Sequence, residues 1–228
     1  MKTIAVIRSI AKALMWSVIV MVALVAVLAA INAVDEDLKP QAAATLQWIA
    51  PEVPVAENGF FMIVGVGAES GQDPHAAGVR WVEQINSAKT PQDIEQADSV
   101  LMRQQLRFAG DAKLLCPYYS AKSCLDLIAD NQAPVRGMQE VNQEWLARYE
   151  RVQGYQRFAT AYAYPSGHTM PHLWQYSRAQ RLYLAGIALQ VLEGRSREAL
   201  DRLVRDIGTQ RRVLLGCTDL TTKLFAAD

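Results

Sequence analysis

The chain begins with a long apolar run and continues as a series of shorter segments with helical periodicity. Residues 13–33 form the run, which is 21 residues long with two polar interruptions. At about 1.5 Å per residue, such a helix can cross a hydrocarbon core about 30 Å thick. The run is preceded by three basic residues, Lys2, Arg8 and Lys12. Basic flanks stay in the cytoplasm, so residues 34–228 are expected on the other side of the membrane.

A cleaved signal peptide is the alternative interpretation of this run. Secretory apolar regions usually span about 7–15 residues and end at a small-x-small site. Here the run is longer, and the best candidate site, residues 31–33, has Ile31 at its first small position. We therefore predict a cytoplasmic N-terminus at residues 1–12 and an uncleaved transmembrane signal anchor at 13–33. This arrangement describes a single-pass protein of the bacterial inner membrane, bound to the lipid bilayer through residues 13–33, with a periplasmic C-terminal domain.

The remainder is predicted to be a tether, residues 34–57, followed by an all-α domain, residues 58–228. Residues 59–68 are all apolar or glycine, which is too short for a second membrane span and compatible with a buried strand or a buried helix. Asn58 as a possible N-cap favours the helix. The cap and stop signals that follow predict further helices. These are Asp73-Pro74 to Ser87, Thr90-Pro91 to Phe108, Ser120 or Ser123 to Asp130, Val135 to Gln153, Pro171 to Glu193, and a last helix capped by Ser196.

The last two helices form a predicted antiparallel hairpin joined by a turn at Gly194. In the second helix an apolar stripe contains Ala199, Leu200, Leu203, Val204 and Ile207. The opposite face carries two i,i+4 pairs, Asp201/Arg205 and Arg202/Asp206, which is typical of a solvated surface. The hairpin over residues 182–207 resembles a single tetratricopeptide-type unit, with no second copy at the repeat period. The resemblance implies a helical hairpin within a bundle or a solenoid-like domain.

The charge of the chain argues against two classes of partner, nucleic acids and anionic lipid surfaces. The whole chain has 23 basic and 23 acidic residues, but three of the basic ones precede the apolar run. Residues 34–228 therefore carry a net charge of −3. No basic stripe is present to neutralise phosphates, so a nucleic-acid partner is not expected, and no polybasic patch favours anionic lipid surfaces.

The three cysteines have different predicted roles. Cys116 and Cys124 are separated by seven residues that include Pro and Ser, and in an oxidising compartment they are expected to form a disulfide. Free buried thiols are the alternative, and a metal site is not expected, because this segment lacks further His or Cys ligands. Cys217 is expected to pack as a small apolar residue, with an intermolecular bridge as the alternative.

One short motif could carry chemistry. Pro165-Ser166-Gly167-His168-Thr169 resembles the central signature of the PAP2-type acid phosphatases and lipid phosphatases. The resemblance implies that the Ser166 and Gly167 amides hold a phosphate and that His168 protonates the leaving group. However, no Arg-Pro dipeptide occurs in the chain and no His follows His172, so two further motifs of that family are missing. We interpret the match as coincidental and the segment as a loop leading into a helix.

The segment Gly71-Gln72-Asp73-Pro74-His75-Ala76-Ala77-Gly78 is the one that packing alone explains least well. A helix N-terminus with His75 and Arg80 nearby could bind an anion, although Asp73 would compete as the cap. Asp73, His75 and Arg80 are thus candidate ligand-binding residues, while structural capping is the favoured interpretation. His168 and His172 are four residues apart, but the intervening Pro171 argues against a metal pair.

The overall layout resembles a family of uncharacterised bacterial envelope proteins, which implies an envelope location and no activity. The shared features are the N-terminal anchor, residues 58–61, residues 73–78 and the cysteine pair. The leading hypothesis is a non-enzymatic interaction module with an envelope protein partner and no cofactor. Two alternatives stay open. One is an envelope hydrolase using His168, with Ser166 and His75. The other is a small-ligand or lipid-binding domain.

Overall fold

The computed structural model describes residues 12, 14–26, 52–103, 105–115, 123–161, 171–219 and 222–223. The chain divides into two compact units, Met1–Ile49 and Ala50–Asp228. In the first unit, residues 14–26 are helical and their large apolar side chains are 46–64% exposed. Within the described residues, no helix has the length and apolarity needed to span a membrane. The predicted span 13–33 is described only in part, and it stays a prediction.

The second unit is built from helices, which confirms the all-α prediction. Its described residues contain no strand, only two isolated β-bridges, Asn58 to Arg157 and Ala68 to Gln105. Two short 3-10 turns, Val55–Glu57 and Ala112–Leu114, accompany the α-helices. The helices are α1 (Gly59–Val64), α2 (Pro74–Ser87), α3 (Pro91–Arg103), α4 (Cys124–Asp130), α5 (Gln132–Val141), α6 (Gln143–Gly154), α7 (Pro171–Leu192) and α8 (Ser196–Gly216).

Helix α1 is fully buried, and its start is fixed by Asn58. All six residues of the helix are buried, as its uniformly apolar sequence requires. The Asn58 side chain accepts a hydrogen bond from the Phe60 amide (3.0 Å) and donates one to the Ala159 carbonyl (2.8 Å). Asn58 therefore caps α1 and ties it to the segment that follows α6, which confirms the predicted cap.

Helix α2 starts as predicted and packs tightly against α1. The Asp73 carboxylate accepts a hydrogen bond from the Ala76 amide (2.8 Å), and Pro74 occupies the first turn. A Cβ atom on Gly78 would lie 1.9 Å from the Phe61 carbonyl oxygen, a distance that no real Cβ tolerates. Gly78 thus permits the close approach of α1 and α2. Capping and packing account for most of the segment 73–78.

Two predicted helix boundaries are wrong. Helix α3 ends at Arg103 rather than near Phe108, because the next residues pair with the loop after α1 and the Leu106 amide bonds the Gly67 carbonyl (2.8 Å). The predicted helix 135–153 is two helices, α5 and α6, which meet at Asn142. The buried Asn142 side chain binds the amide and the carbonyl of Ala109 and so joins this break to a distant loop.

Helix α7 is the central element of the second unit. It packs against α1, α4, α5, α6 and α8, and its fully buried side chains include Leu173, Leu182 and Tyr183. Gly194, with φ of +80°, ends the turn after α7 as predicted. Helix α8 then begins at Ser196 with Arg195 at the cap position and no side-chain cap, so the predicted capping role of Ser196 is wrong.

Candidate functional site

The Asp73 carboxylate has a structural role at the start of α2. It holds the Ala76 amide and forms an ion pair with Arg151 at 2.9 Å, with both side chains 51% exposed. The backbone hydrogen bond from Ala76, followed by the hydrogen bond from Arg151, lowers the pKa of Asp73. Since both interactions favour the charged form, the carboxylate is engaged as a cap.

His75 lies half-buried between two aromatic rings beside Asp73. Its imidazole stacks on Tyr155, with ring centroids 5.7 Å apart and planes 4° apart, and meets Phe61 edge-on at 5.6 Å. The Nε2 atom is buried without a hydrogen-bond partner. Burial also raises the pKa of Tyr155, which leaves its hydroxyl protonated. These contacts fix the orientation of the imidazole by packing.

Arg80 and Arg151 border the same open groove as His75, together with Val55 and Val79. The structure therefore brings the three predicted ligand candidates, Asp73, His75 and Arg80, to one place, but Asp73 already serves as a cap. A separate cavity of about 70 Å³ lies between α2 and α3, beside Trp81 and Leu101. Ligand binding at Asp73, His75 and Arg80 stays a prediction.

Three predicted residues, Cys116, Ser166 and His168, lie outside the described residues. The Cys116–Cys124 disulfide and the hydrolase chemistry therefore stay predictions. Cys217 is free and 1% exposed within the apolar core, which confirms that it packs as a small apolar residue. Burial raises the pKa of its thiol to about 12, so the reactive thiolate is scarce at neutral pH.

His172 is fully buried at the start of α7. Its ring centroid lies 5.0 Å from that of Trp81, and burial lowers its pKa to about 3. The imidazole is therefore neutral at physiological pH. Among the described residues, no three His, Cys, Asp or Glu side chains are close enough together to hold a metal ion.

A buried polar cluster joins α6, α7 and α8. The Tyr149 hydroxyl donates a 2.5 Å hydrogen bond to Asp206, and Gln153 donates a second at 3.2 Å. Gln210 donates to the hydroxyls of Tyr149 (2.8 Å) and Tyr176 (2.9 Å). Burial raises the pKa of Asp206, partly offset by the hydrogen bonds that it accepts. The cluster fixes the contact between the three helices.

The sequence-based orientation of α8 is therefore wrong. The i,i+4 pattern predicts Asp206 on the solvated face beside Arg202, but Asp206 is only 3% exposed. Arg202 instead lies 4.2 Å above the Tyr183 ring and 3.7 Å from the Glu150 carboxylate. Inward-facing Asp206 and Gln210 bind polar side chains of α6 and α7, and this orientation turns the predicted apolar stripe away from the core. Thr209 is buried beside them and donates its hydrogen bond to the Arg205 carbonyl within α8.

The outer face of α8 is consequently apolar. Ala199 is buried and Leu203 half-buried, as expected for a core-facing stripe. We define the outer face by four solvent-exposed side chains, Leu200 (58%), Val204 (60%), Ile207 (51%) and Leu215 (72%). Residues three and four apart are neighbours on a helix, so the first three form a continuous row, which half-buried Leu214 extends toward Leu215. Single exposed apolar residues are ordinary, whereas large contiguous apolar patches are typical of interaction sites.

The charges on this face are cationic. Arg197 and Arg211 are exposed within the row, whereas Asp201 and Arg205 lie together along one flank. In the described part of the chain, none of these four side chains forms an ion pair. The outer face therefore presents aliphatic side chains with a guanidinium toward each end. The sequence periodicity correctly predicts an apolar stripe on α8 but places it in the core. An apolar stripe does not by itself show whether the core or a partner covers it.

Comparisons of the chain with protein-family models, with curated proteins and with solved structures found no match.

Proposed function

We propose that this protein is a non-enzymatic protein-interaction module that binds its partner through the outer face of α8. The observation that carries the proposal is the orientation of this helix. Its polar residues Asp206, Thr209 and Gln210 are buried, while Leu200, Val204 and Ile207 are exposed to solvent. A helix that keeps its aliphatic row in water gains the free energy of burial only when another surface covers that row.

We further propose that the module is anchored in the bacterial inner membrane and faces the periplasm. The apolar side chains of residues 14–26 are exposed on all sides, and basic residues precede them. The proposed Cys116–Cys124 disulfide fits an oxidising compartment. Because Cys217 is free, Cys116 is the remaining candidate partner for Cys124.

Site-specific photocrosslinking in living bacteria tests the proposed surface. A photoreactive phenylalanine analogue replaces Val204 in the full-length chain, and the control variant carries it at Val141 on α5, which is exposed to a similar extent (66%). We expect one discrete protein adduct from position 204 and none from position 141. The adduct should disappear when Leu200→Glu and Ile207→Glu are added, because two carboxylates in the row oppose apolar docking. Equal adducts from both positions, or none from position 204, would contradict the proposal.

A further inference from the structure

We infer that the partner segment that docks on the outer face of α8 is an acidic amphipathic helix of another protein. This inference rests on the proposed function and specifies the chemistry of the partner. The exposed row Leu200, Val204 and Ile207 has the i, i+4, i+7 spacing by which helices pack against one another. Leu203 and Leu214 lie half-buried along one border of the row, so a second helix can rest against them.

The exposed arginines of this face favour an acidic partner. Arg197 and Arg211 are 14 residues apart, which places them about 21 Å apart along the helix axis. Both are exposed, and the described residues supply neither with an ion-pair partner. Asp201 and Arg205, on the flank, have opposite charges. A docked helix with carboxylates about 14 residues apart, on either side of its apolar residues, would therefore neutralise both guanidinium groups.

A second copy of this chain fits the face poorly. If two α8 helices paired in parallel with matching register, Arg197 would lie opposite Arg197. If they paired antiparallel about Val204, Arg197 would lie opposite Arg211. Both symmetric arrangements bring like charges together, which opposes association.

A lipid surface also fits the face poorly. Interfacial helices combine Trp, Phe and Leu on the apolar side with a polar face rich in Lys and Arg. The outer face of α8 has no aromatic residue and only two arginines in the row, fewer than the four to eight basic residues typical of anionic lipid recognition.

The test compares two synthetic helical peptides that differ only in charge. Each has 22 residues with leucine at heptad positions a and d, and the flanking positions 14 residues apart are Glu in one peptide and Lys in the other. Fluorescence anisotropy measures their binding to the full-length chain in phosphatidylcholine nanodiscs, with empty nanodiscs as the blank. We expect the Glu peptide to bind about tenfold or more tightly than the Lys peptide. The double variant Arg197→Glu, Arg211→Glu should reverse this preference, and Val204→Glu should weaken both peptides at least tenfold.

Several outcomes would overturn the inference. Equal affinities for the two peptides would show that the partner helix need not be acidic. Binding that survives Val204→Glu would show that the peptide binds outside the outer face of α8. A dimer in sedimentation that Val204→Glu dissociates would make a second copy the occupant. Quenching of a bimane label on Val204→Cys by brominated phosphatidylglycerol, absent for Val141→Cys, would make the membrane the occupant. The crosslinking experiment above decides the proposed function separately, because it does not depend on the charge of the partner.

Discussion

The phenolic hydroxyl of Tyr149 donates a 2.5 Å hydrogen bond to the Asp206 carboxylate in the interior of the second unit. Tyr149 comes from α6 and Asp206 from α8, so this bond ties together two helices far apart in sequence. A carboxylate in this position loses hydration, and burial raises the pKa of Asp206. The hydrogen bond compensates part of that cost and gives α8 one orientation on the core.

Loss of this hydroxyl should destabilise the protein. We expect Tyr149→Phe to lower the free energy of unfolding by roughly 1.5–3 kcal/mol, because a charge-assisted bond is lost and Asp206 stays buried. Urea titration of the full-length chain in mild detergent, followed by tryptophan fluorescence, measures the change. The control Asp201→Asn, at an exposed position on the same helix, should stay within about 0.5 kcal/mol of the parent. Equal effects of the two variants would argue against the role of the cluster.

Substitution by alanine should destabilise the protein at Gly78 and stabilise it at Gly137. At Gly78 a Cβ would lie 1.9 Å from the Phe61 carbonyl oxygen, so α1 and α2 would have to separate, and we expect a loss of more than about 2 kcal/mol. At Gly137, within α5, a Cβ meets nothing within 4 Å, and alanine should stabilise the helix by roughly 0.5–1 kcal/mol. Thermal unfolding by circular dichroism ranks the two variants, and a tolerated Gly78→Ala would show that the two helices are not in close contact.

Replacement of Arg148 should destabilise the protein far more than replacement of Arg151. Buried Arg148 donates hydrogen bonds to the carbonyls of Val66, Ala68 and Glu69 in the loop after α1, and it pairs with Glu144 at 2.6 Å. We expect Arg148→Met to cost roughly 3–5 kcal/mol, because it leaves three carbonyls without their donor.

Arg151 provides the matched control for that variant. It lies one helical turn away and forms a half-exposed ion pair with Asp73. Because water screens such a pair, Arg151→Met should cost no more than about 1 kcal/mol. Denaturant titrations of the two variants test the difference, and similar losses would show that the three carbonyls do not depend on Arg148.

Two valines of α8 should report which side of the helix is buried. Val213 is fully buried and Val204 is 60% exposed. Truncation of Val213 to alanine should cost roughly 1–2 kcal/mol, whereas Val204→Ala should change stability by less than about 0.5 kcal/mol. The midpoints of urea unfolding give both values. A large loss for Val204→Ala would place the outer face inside the core and remove the basis for a docking surface.

His172 should make the fold sensitive to acid. Its pKa in the folded chain is about 3, below the 6.5 of an unfolded histidine, so below pH 6.5 the unfolded state takes up a proton that the folded state does not. The contribution of His172 to the free energy of unfolding is therefore fully present above pH 6.5. It falls by up to about 1.4 kcal/mol per pH unit as the pH decreases toward 3. The raised pKa of Asp206 acts in the opposite direction, since protonation there favours the folded state.

The variant His172→Phe should lose less stability than the parent between pH 7 and pH 5. The free energy of unfolding at the two pH values, measured for both chains, gives this difference. Equal losses in the variant and the parent would show that His172 does not contribute to acid sensitivity.

Local sequence signals were enough to predict the helical class and the ends of several helices. Asn58 and Asp73 cap α1 and α2, and Gly194 separates α7 from α8, as their sequence contexts predicted. Ser123, one of the two predicted starts, caps α4. These features depend on a few neighbouring residues, whose backbone preferences and hydrogen-bonding groups act locally. The buried position of Cys217 could likewise be read from its apolar neighbours.

The buried side of α8 and the helix break at Asn142 could not be predicted, because both depend on contacts between distant segments. Periodicity places apolar residues on a stripe, but it does not show that distant Tyr149 and Gln153 bind Asp206 and turn that stripe outward. In the same way, Asn142 ends a helical pattern because Ala109, 33 residues away, bonds its side chain. Such contacts join residues far apart in sequence, so their energies appear only when the helices are packed together.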